Sequence, residues 1–415
     1  MNQTSIQLSH SSQHISGTVQ LTGSKSESNR ALIIQALSKG AVSIENLSAA
    51  DDTVILKRAL SLAHEQNEQI GTINIGPAGT AMRFLTSYLN LIPGSFILTG
   101  TERMKQRPIG ILVDALQSLG TAISYCESTG FPPLHIKGEF EQKNSIVKIK
   151  GDVSSQYISS LLLIASALKD GLTLEIEGEL TSRPYVNMTL QLLEETGIRH
   201  EWNGNSISIM PQQHQQTKIY VEPDWSAASY WYAMVALAQS GSLFLPGLKE
   251  NSLQGDSAIV EIMTHFGVQS TFKDGGIFLE KSATKSDKKL FDFKECPDLA
   301  QTVIVIAAAL QMNISFTGLE TLKIKETDRI LALQNEIAKF GATLTAEGEV
   351  YHLDTSKVFT PENVEIATYE DHRMAMAFAP LALIFKQLTI QDPQVVEKSY
   401  PDYWLHLAQQ GFLIT

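Results

Sequence analysis

The chain has 415 residues, and its 44 acidic residues outnumber its 32 lysines and arginines, which gives a net charge of −12. Apolar residues make up 43% and charged residues 18%, a balance typical of globular proteins and not of disordered or fibrous chains. So acidic a protein has no overall field that attracts nucleic acid or an anionic membrane. Any anion that it binds must be held by a local cluster of cations.

At about 100 to 200 residues per domain, the length predicts roughly two to four domains. The two cysteines, Cys126 and Cys296, have neither CxxC nor Cys/His spacing, so we predict no disulfide and no metal site. The N-terminus lacks the basic start and apolar run of a signal peptide. The longest apolar stretch, Met374 to Phe385, is interrupted by Pro380 and is shorter than the about 18 residues that span a bilayer. We expect a cytoplasmic protein.

One pattern recurs along the chain. A small polar residue opens an apolar helical stretch, a Gly or polar turn ends it, and a short β-branched or aromatic strand follows. Successive strands are separated by a mean of about 69 residues. The six predicted strands begin near Ser43, Ser95, Thr173, Ser242, Ser315 and Thr389.

A second helix lies between successive copies and is more amphipathic than the first. We therefore predict that the first helix of each copy is buried on nearly all sides, while the second is half solvated. The chain is predicted to be α/β, and six copies divide as three plus three, with a boundary near Val221 to Asp224. A solenoid is the alternative, but the period exceeds the usual range of about 20 to 50 residues, and the linkers differ between copies.

The candidate binding residues cluster at the predicted starts of helices. Lys25 and Ser26 open the first helix, and Arg30 follows one turn later, an arrangement of N–H groups, hydroxyls and cations that suits phosphate. The GxxxxGK spacing of a Walker A loop is absent. Similar starts recur at residues 76–80, 154–156 and 181–185. Each is equally typical of an ordinary helix cap, and only their convergence would form a site for a polyanionic, polyhydroxylated ligand.

Further cations and two carboxylates are candidates on the same grounds. Taken singly, each cation is typical of a surface ion pair. Arg373, however, stands before an apolar run, where an unpaired guanidinium is costly to bury and a bound anion would compensate. For Asp298 and Glu326, a helix cap and a salt bridge are the ordinary interpretations. The other candidate cations are Lys105, Arg107, Lys325, Arg329, His372 and Lys398.

Eight motifs in chain order resemble those of the EPSP synthase family of enolpyruvyl transferases. They are GSKSESNRA, GPAGTAMR, ERMKQRPIG, GDVSSQYISSLLL, SRPYV, KETDRI, YEDHRMAM and EKSYPDYW, and they cover residues 22 to 404. The resemblance implies two domains, each of three repeated βαβαββ-like units, which form the inside-out α/β barrels of that family. It implies an N-terminal domain of residues 24–222, which mainly binds shikimate 3-phosphate, and a discontinuous C-terminal domain of residues 1–23 and 223–415. The active site is expected in the cleft between the domains.

By this resemblance, the protein transfers the enolpyruvyl group of phosphoenolpyruvate to the 5-hydroxyl of shikimate 3-phosphate. Phosphate is released through a tetrahedral adduct, and no metal or organic cofactor takes part. The implied partners are the two small-molecule substrates, without nucleic acid or membrane, and a monomer is expected. Together the substrates carry a charge of about −5 to −6, so a handful of cations is needed to hold both.

The resemblance also implies the residues of the site. The positions matching those that hold shikimate 3-phosphate are Lys25, Ser26, Arg30, Ser154, Ser155, Gln156, Ser182, Tyr185, Asp298, Thr321 and Lys325. The positions matching those around phosphoenolpyruvate are Lys25, Gly79, Arg107, Gln156, Arg329, His372, Arg373 and Lys398.

Three of these residues are expected to be catalytic. Asp298 is expected to be the base toward the 5-hydroxyl, and Glu326 to handle the proton of the enol methylene. Lys25 is expected to stabilise the bridging and leaving oxygens.

The sequence departs from the family pattern at four places. Pro77 replaces an Asn in the family's GNAGT motif and removes a side-chain amide and a backbone donor near phosphoenolpyruvate. Phe84 replaces a Pro, and both Pro297 and Thr321 replace an Asn. These four substitutions leave the expected type of reaction unchanged. Glyphosate inhibits members of the family, but the family resemblance does not predict whether it inhibits this protein.

Two rival functions share these features. A transferase acting on UDP-N-acetylglucosamine usually has a reactive cysteine before its RP motif, and residues 102–107 contain none. A non-catalytic anion-binding homologue would be favoured by the loss of Asp298, Glu326 or Lys25, and all three are present.

Overall fold

A computed structural model describes residues 4–65, 70–283 and 287–415 of the chain. The chain divides into two compact units. The N-terminal unit comprises Gly23–Val221, and the C-terminal unit comprises the chain up to Thr22 together with Glu222–Thr415. These boundaries lie one residue from the expected ones, and the beginning of the chain packs with its second half.

The helices are α1 (Lys25–Leu37), α2 (Asp51–Glu65), α3 (Gly79–Tyr88), α4 (Glu102–Lys105), α5 (Gly110–Leu119), α6 (Ser155–Ala165), α7 (Arg183–Glu195), α8 (Trp225–Leu237), α9 (Ile259–Thr264), α10 (Ala300–Ala309), α11 (Arg329–Ala338), α12 (His372–Phe378) and α13 (Tyr403–Gln409). Short 3₁₀ helices cover Leu89–Leu91, Gly255–Ala258, Pro297–Leu299, Glu320–Ile324, Ala379–Leu383 and Pro393–Lys398.

The strands up to Tyr220 are β1 (Ser5–Ser9), β2 (His14–Thr18), β3 (Val42–Glu45), β4 (Ile70–Asn74), β5 (Ser95–Thr99), β6 (Ala122–Tyr125), β7 (Leu134–Lys137), β8 (Ile146–Lys150), β9 (Leu172–Glu177), β10 (Glu201–Asn203), β11 (Ser206–Ile209) and β12 (Thr217–Tyr220). The later strands are β13 (Ser240–Pro246), β14 (Val268–Lys273), β15 (Gly276–Lys281), β16 (Leu290–Asp292), β17 (Ser315–Thr317), β18 (Thr343–Glu347), β19 (Val350–Asp354), β20 (Asn363–Ile366), β21 (Gln387–Gln391) and β22 (Leu413–Ile414).

The sixfold repeat is confirmed, because the six predicted strand starts fall in β3, β5, β9, β13, β17 and β21. In a complete repeat, two parallel strands flank a buried helix, a second helix follows, and an antiparallel hairpin joins the same sheet. The sheet β4-β5-β7-β6 has this arrangement, with β4 parallel to β5 and β5 antiparallel to β7. The described strands form five four-stranded sheets with this pairing, but in the sheet β20-β21-β1-β22 the antiparallel pair is formed by β1 and β22 from opposite ends of the chain and not by a hairpin.

The first repeat differs from the other five. Its sheet has only the two described strands β12 and β3, and no hairpin follows α2, which leads instead to β4 of the next sheet. The expectation of three βαβαββ-like units in each domain therefore holds for five of the six repeats.

Two strands are exchanged between the units. Strand β2 precedes α1 in the chain but pairs in parallel with β13 of the C-terminal unit, whereas β12 precedes α8 but pairs in parallel with β3 of the N-terminal unit. The chain thus passes between the units twice. At the second passage, the backbone N–H of Asp224 donates to the carbonyl of Thr22 at 3.0 Å, which ties the two passing segments together within the C-terminal unit.

The first helix of each repeat is buried, as predicted. In the C-terminal unit α8, α10 and α12 contact one another, and every residue of α12 is buried. In the N-terminal unit α1, α3 and α6 contact one another in the same way. These helices have almost no solvent face, and the sheets lie outside them. Most of their residues are therefore apolar or small, but α1 also buries polar side chains such as Asn29 and Arg30. The starts of the buried helices are the places where polar side chains collect.

No helix in the described part of the chain is both long enough and apolar enough to cross a membrane.

Candidate active site

Most of the predicted site residues lie at the starts of helices or in the turn just before them. Capping side chains define these starts: Ser24 accepts from the N–H of Glu27 before α1, and Asp371 accepts from the N–H of Arg373 before α12. Because unpaired N–H groups give a helix start a partial positive charge, anionic groups are favoured there. The residues divide between the two units.

In the C-terminal unit, Arg329 at the start of α11 binds three carboxylates. Its Nε donates to Asp371 Oδ2 at 2.7 Å. Its Nη2 donates to Glu326 Oε2 at 2.9 Å, and its Nη1 to Asp298 Oδ1 at 3.2 Å. The side chain is only 2% exposed. Burial alone would lower the pKa of Arg329, but Asp371, Glu326 and Asp298 raise it above its usual value, so the guanidinium is permanently charged.

Arg373 in the first turn of α12 holds Asp298 from the other side. Its Nη2 donates to Asp298 Oδ2 at 2.8 Å, and its Nη1 to the backbone carbonyl of Asp298 at 3.1 Å. Longer contacts of 3.4 Å join the same guanidinium to the hydroxyls of Tyr230 and Ser226. The arginine expected to need an anion therefore has one within the protein.

Two lysines complete the cluster. Lys325 Nζ lies 3.9 Å from Asp298 Oδ1, and Lys398 Nζ lies 3.8 Å from Glu326 Oε1. Burial lowers the pKa of Lys325, and Asp298 opposes that effect. We call Asp298, Lys325, Glu326, Arg329, Asp371, Arg373 and Lys398 the charged cluster.

The cluster controls the ionisation of two carboxyl groups. Burial alone would raise the pKa of Asp298, yet Arg373, Lys325 and Arg329 together hold it well below its usual range. Asp256 lies beside the cluster and receives a hydrogen bond from Ser226. Burial is the main cause that raises the pKa of Asp256 to about 7, and the negative charge of Asp298 is the second. One carboxyl is thus firmly ionised, and its neighbour titrates near neutrality.

The cations of the charged cluster are paired with carboxylates of the protein. Lys325, Arg329, Arg373 and Lys398 face the carboxylates of Asp298, Glu326 and Asp371. These carboxylates offset the desolvation cost of burying the cations, whereas burying an unpaired cation would strongly destabilise the protein. An anionic ligand here must share the cations with carboxylates, which a count of lysines and arginines does not reveal.

His372 and Thr321 also belong to the C-terminal unit. His372 is 1% exposed, and its Nδ1 lies 3.5 Å from Asp371 Oδ1. The hydroxyl of Thr321, in the 3₁₀ helix before Lys325, is buried and has no hydrogen-bond partner among the described residues. Pro297 begins the 3₁₀ helix that carries Asp298, a position where proline is well tolerated.

In the N-terminal unit, Lys25 is the first residue of α1. Its Nζ lies 3.4 Å from Oδ2 of the buried Asp52, which belongs to the first turn of α2. The contact between α1 and α2 therefore holds the ammonium of Lys25. The neighbouring Ser26 is half-buried.

The start of α3 lies against two arginines. A Cβ atom added to Gly79 would come within 2.5 Å of Arg107 Nη1 and 3.0 Å of Arg83 Nη1. Arg83 Nη1 donates to the carbonyl of Gly79 at 3.0 Å. The buried Nε of Arg107 has no hydrogen-bond partner among the described residues. Only glycine permits this close approach of Arg107 to the backbone. Pro77 is exposed in the turn that precedes α3.

The start of α6 carries three predicted residues. Ser154 is exposed at the N-cap, Ser155 is 9% exposed, and Gln156 is half-buried. Gln156 Nε2 donates to Thr80 Oγ1 of α3 at 3.2 Å, which connects the starts of α3 and α6. The predicted convergence of helix starts is present for this pair.

Arg30 lies inside the N-terminal unit and is 2% exposed. Its Nε donates to Thr189 Oγ1 at 2.7 Å, and its Nη2 to Ser159 Oγ at 3.1 Å and to the carbonyl of Tyr185 at 3.2 Å. Its Nη1 donates to the carbonyl of Ser26 at 2.9 Å. Burial lowers the pKa of Arg30 to about 10, at which it stays protonated at neutral pH.

Arg30 thus joins α1, α6 and α7 through hydrogen bonds to the protein. The ring of Phe84, one of the departures from the family pattern, is buried and lies 5.5 Å from its guanidinium carbon. Ser182 precedes α7 in the left-handed region at φ 53°, and Tyr185 is half-buried in the first turn of that helix. A structural part for Arg30 was not expected from the sequence.

Several charged residues of the site were missed by the sequence analysis. Asp52, Asp256 and Asp371 are buried carboxylates that hold or adjoin the predicted residues, and Arg83 lies behind Gly79. The available signal was the position of an Asp just before or within the first turn of a helix, and that position is also typical of an ordinary cap. Asp371 does cap α12 while it also binds Arg329.

In the described residues, no group of three or more His, Cys, Asp and Glu side chains is arranged to hold a metal ion.

Comparisons with known proteins cover nearly the whole chain. The sequence model of the family described as EPSP synthase (3-phosphoshikimate 1-carboxyvinyltransferase) matches residues 10–407. A protein of Bacteroides fragilis (strain YCH46) named 3-phosphoshikimate 1-carboxyvinyltransferase is 49% identical over 400 residues, which are 96% of each chain. A protein of the same name from Cronobacter sakazakii is 36% identical and covers 95% of this chain and 96% of its own.

Solved structures are similar in fold. An EPSP synthase from Acinetobacter baumannii has a TM-score of 0.78 at 19% identity, and the match covers 99% of both chains. The enolpyruvyl transferase NikO from Streptomyces tendae has a TM-score of 0.74 at 15% identity, covering 99% of this chain and 98% of its own. At these identities the likeness establishes the fold, which is the predicted enolpyruvyl transferase fold.

Proposed function

The chain belongs to the EPSP synthase family, and on this premise we propose that it transfers the enolpyruvyl group of phosphoenolpyruvate to the 5-hydroxyl of shikimate 3-phosphate. The products are 5-enolpyruvylshikimate 3-phosphate and phosphate. The observation that carries the proposal is the charged cluster, in which Asp298 is held ionised between Arg329 and Arg373. A carboxylate and several cations in one place match a reaction that moves protons between anionic substrates.

The division of binding between the units is part of the proposal. The N-terminal unit offers hydroxyls, an amide and Lys25 at helix starts, which suit the phosphate and ring hydroxyls of shikimate 3-phosphate. The C-terminal unit offers Arg329, Arg373 and Lys398, whose guanidinium forks and ammonium suit the phosphate and carboxylate of phosphoenolpyruvate. Lys325 is assigned to shikimate 3-phosphate, and Gly79 and Arg107 to phosphoenolpyruvate.

The addition step and the elimination step each need two proton transfers. In the addition step, the 5-hydroxyl oxygen bonds to C2 of phosphoenolpyruvate, and its proton passes to Asp298. Glu326, which must enter this step in its protonated form, delivers a proton to C3 to make a methyl group. In the elimination step, the methyl group returns a proton to Glu326, the bond from C2 to the phosphate oxygen breaks, and the proton held by Asp298 passes to the departing phosphate. Lys25 stabilises the oxygen that carries away the electron pair.

Because the pKa of Asp298 is low in the free enzyme, substrate binding is expected to change its basicity. A carboxylate surrounded by cations is a weak base, because Arg373, Lys325 and Arg329 stabilise its charge. Substrate phosphate and carboxylate groups that bind these cations would reduce that stabilisation and leave burial as the dominant influence. Asp298 therefore becomes a stronger base when both substrates are bound than in the free enzyme.

A coupled assay of phosphate release tests the proposed function. We expect release only with phosphoenolpyruvate and shikimate 3-phosphate together, and we expect it to persist in EDTA because no metal takes part. UDP-N-acetylglucosamine should not replace shikimate 3-phosphate. No release with both substrates would overturn the proposal, and release with the sugar nucleotide would favour the rival transferase.

Two variants with matched controls test the catalytic assignments. Asp298→Asn and Lys25→Met are expected to lower kcat by about 100-fold or more, the usual loss for a positioned acid, base or oxyanion partner. Asp287→Asn and Lys57→Met make the same changes at exposed positions and should keep full turnover. Full activity of Asp298→Asn or Lys25→Met would contradict the role assigned to that residue.

A cytoplasmic, monomeric enzyme belongs to the same proposal. Both cysteines are free thiols, Cys126 exposed and Cys296 buried, which suits a reducing compartment. Sedimentation of the purified protein near its chain mass of 45.6 kDa would support the monomer, and twice that mass would contradict it.

A further inference from the structure

We propose that Glu336 and Tyr369 form a positioning pair that aligns Arg329 and Arg373 for phosphoenolpyruvate. Neither residue belongs to the predicted site, and neither contacts the reacting groups in the proposed mechanism. The inference rests on the proposed function, because it assigns these residues to the binding of one of its substrates.

Glu336 is a buried carboxylate in α11, and it is only 1% exposed. Its Oε1 accepts from the hydroxyl of Tyr369 at 2.8 Å. Its Oε2 accepts from the backbone N–H of Ala367 at 3.1 Å and from Lys339 Nζ at 2.7 Å. One carboxylate therefore holds residues 367 and 369 of the segment that leads into α12.

That segment has an unfavourable backbone conformation. Tyr369 and Glu370 have φ values of 54° and 57°, so two consecutive residues other than glycine occupy the left-handed region. Each such residue costs on the order of 1 kcal/mol or more and persists only when its surroundings impose the conformation. The hydrogen bonds that Tyr369 and Ala367 donate to Glu336 supply that constraint.

The turn ends at Asp371, which orients both arginines. Asp371 is fully buried, accepts from Arg329 Nε at 2.7 Å and from the backbone N–H of Arg373 at 2.9 Å. A small change of φ at Tyr369 or Glu370 would move this carboxylate and, with it, the two guanidinium groups. The position of Asp371 therefore depends on the two residues before it.

Helix α11 carries both ends of this arrangement. Arg329 and Glu336 are seven residues apart, about two helical turns, and so lie on the same face. The segment from Ala367 to Asp371 runs beside that face and is attached to it at Glu336 and again at Arg329. Two attachments define the path of the chain between them, whereas one would leave it free to relax.

The decisive variant is Tyr369→Phe, which removes one hydroxyl and keeps the ring. We expect the KM for phosphoenolpyruvate to rise about tenfold or more, the usual consequence of losing a hydrogen bond to a charged group at a positioned site. The kcat and the KM for shikimate 3-phosphate should change by about twofold at most. Tyr220→Phe is the control, since Tyr220 is 50% exposed in the other unit and should leave all constants unchanged.

A second substitution separates positioning from general stability. Glycine adopts the left-handed region without strain, so Glu370→Gly should reduce the need for the attachment at Tyr369. The double variant Tyr369→Phe with Glu370→Gly is expected to recover most of the affinity for phosphoenolpyruvate. Glu370 is exposed, and Glu370→Gly alone should change the KM by about twofold at most.

The outcomes distinguish the two proposals. An unchanged KM for phosphoenolpyruvate in Tyr369→Phe, an equal rise of both KM values, or a double variant no better than the single one would each overturn the positioning pair. A wild-type protein that releases no phosphate from the two substrates would instead overturn the proposed function.

Discussion

Arg373 holds Asp298 by two groups at once: Nη2 lies 2.8 Å from the carboxylate, and Nη1 lies 3.1 Å from the backbone carbonyl of the same residue. The guanidinium therefore fixes the orientation of the carboxylate and also lowers its pKa. A lysine could keep the charge but not both contacts, because its ammonium is a single point charge without the planar fork.

The first prediction concerns the pH dependence of turnover. In the free enzyme, burial would raise the pKa of Asp298, but Arg373, Lys325 and Arg329 hold it well below its usual range. Anionic substrates that bind these cations should raise the pKa of Asp298. The pH profile of kcat, which reports the substrate complex, should therefore fall off at a higher pH on its acid side than the profile of kcat/KM, which reports the free enzyme. Initial rates from pH 4.5 to 8 at saturating and limiting substrate would locate the kcat limb and show whether any kcat/KM limb of Asp298 enters this range. A kcat limb at the lower pH would contradict the idea that substrates activate this base.

A second prediction uses Arg373→Lys in the same assay. Loss of the two-point contact should lower kcat/KM at least about tenfold and raise the pKa of Asp298 in the free enzyme. Its acid limb in kcat/KM should therefore move to higher pH. An unchanged limb together with unchanged kcat/KM would show that the fork contributes nothing beyond its charge.

The strand positions could be predicted because each begins at a turn between an apolar helix and a β-branched run. The exchange of β2 and β12 did not follow from the repeat pattern, because pairing partners depend on the sheet that a strand reaches in space, and only the family resemblance implied that residues 1–23 join the second domain. Both strands are short, and neither sequence carries a signal for its unit. The missing hairpin of the first repeat was hidden by α2, which resembles the second helix of the other repeats.

Within the candidate site, the sequence located the cations better than their counter-charges. Lys325 and Arg329 were assigned to the site by the family resemblance, and Arg373 stands out because it precedes an apolar run. Asp371 and Asp52 do not, because an Asp at a helix start is an ordinary cap. The internal position of Arg30 also could not be predicted, since its acceptors on α6 and α7 are more than 120 residues away in sequence.

A third prediction concerns stability and pH at Asp256. Its pKa of about 7 exceeds that of an unfolded aspartate, so the folded protein binds this proton more tightly. The resulting stability is complete below the unfolded pKa and is lost as the pH rises toward 7. Asp256→Asn cannot ionise, so its free energy of unfolding relative to wild type should increase from pH 4 to 7 and then level off. Thermal unfolding at several pH values measures this difference, and a difference independent of pH would refute the prediction.

A fourth prediction concerns the close approach of Arg107 to Gly79. An alanine Cβ at this position would lie 2.5 Å from Arg107 Nη1, the movable end of a long side chain. We expect Gly79→Ala to fold normally but to displace Arg107 and raise the KM for phosphoenolpyruvate about tenfold. The KM for shikimate 3-phosphate should stay within about twofold. If steady-state kinetics show both KM values rising equally, Arg107 is not specific to phosphoenolpyruvate.

A final prediction separates the structural and binding parts of the first helix. Thr189→Val removes the hydroxyl that accepts from Arg30 Nε at 2.7 Å and leaves a buried donor unsatisfied, which costs about 1 to 3 kcal/mol of stability. Ser26→Ala leaves Arg30 attached, because Arg30 bonds to the backbone carbonyl of residue 26 and not to its side chain. We therefore expect Thr189→Val to unfold at lower temperature, and Ser26→Ala to unfold normally but to bind shikimate 3-phosphate more weakly. Calorimetry of the free enzymes, together with titration by shikimate 3-phosphate, measures both effects. The reverse pattern, with Ser26→Ala destabilised and Thr189→Val deficient only in binding, would mean that Arg30 serves the ligand and not the packing of α1 against α7.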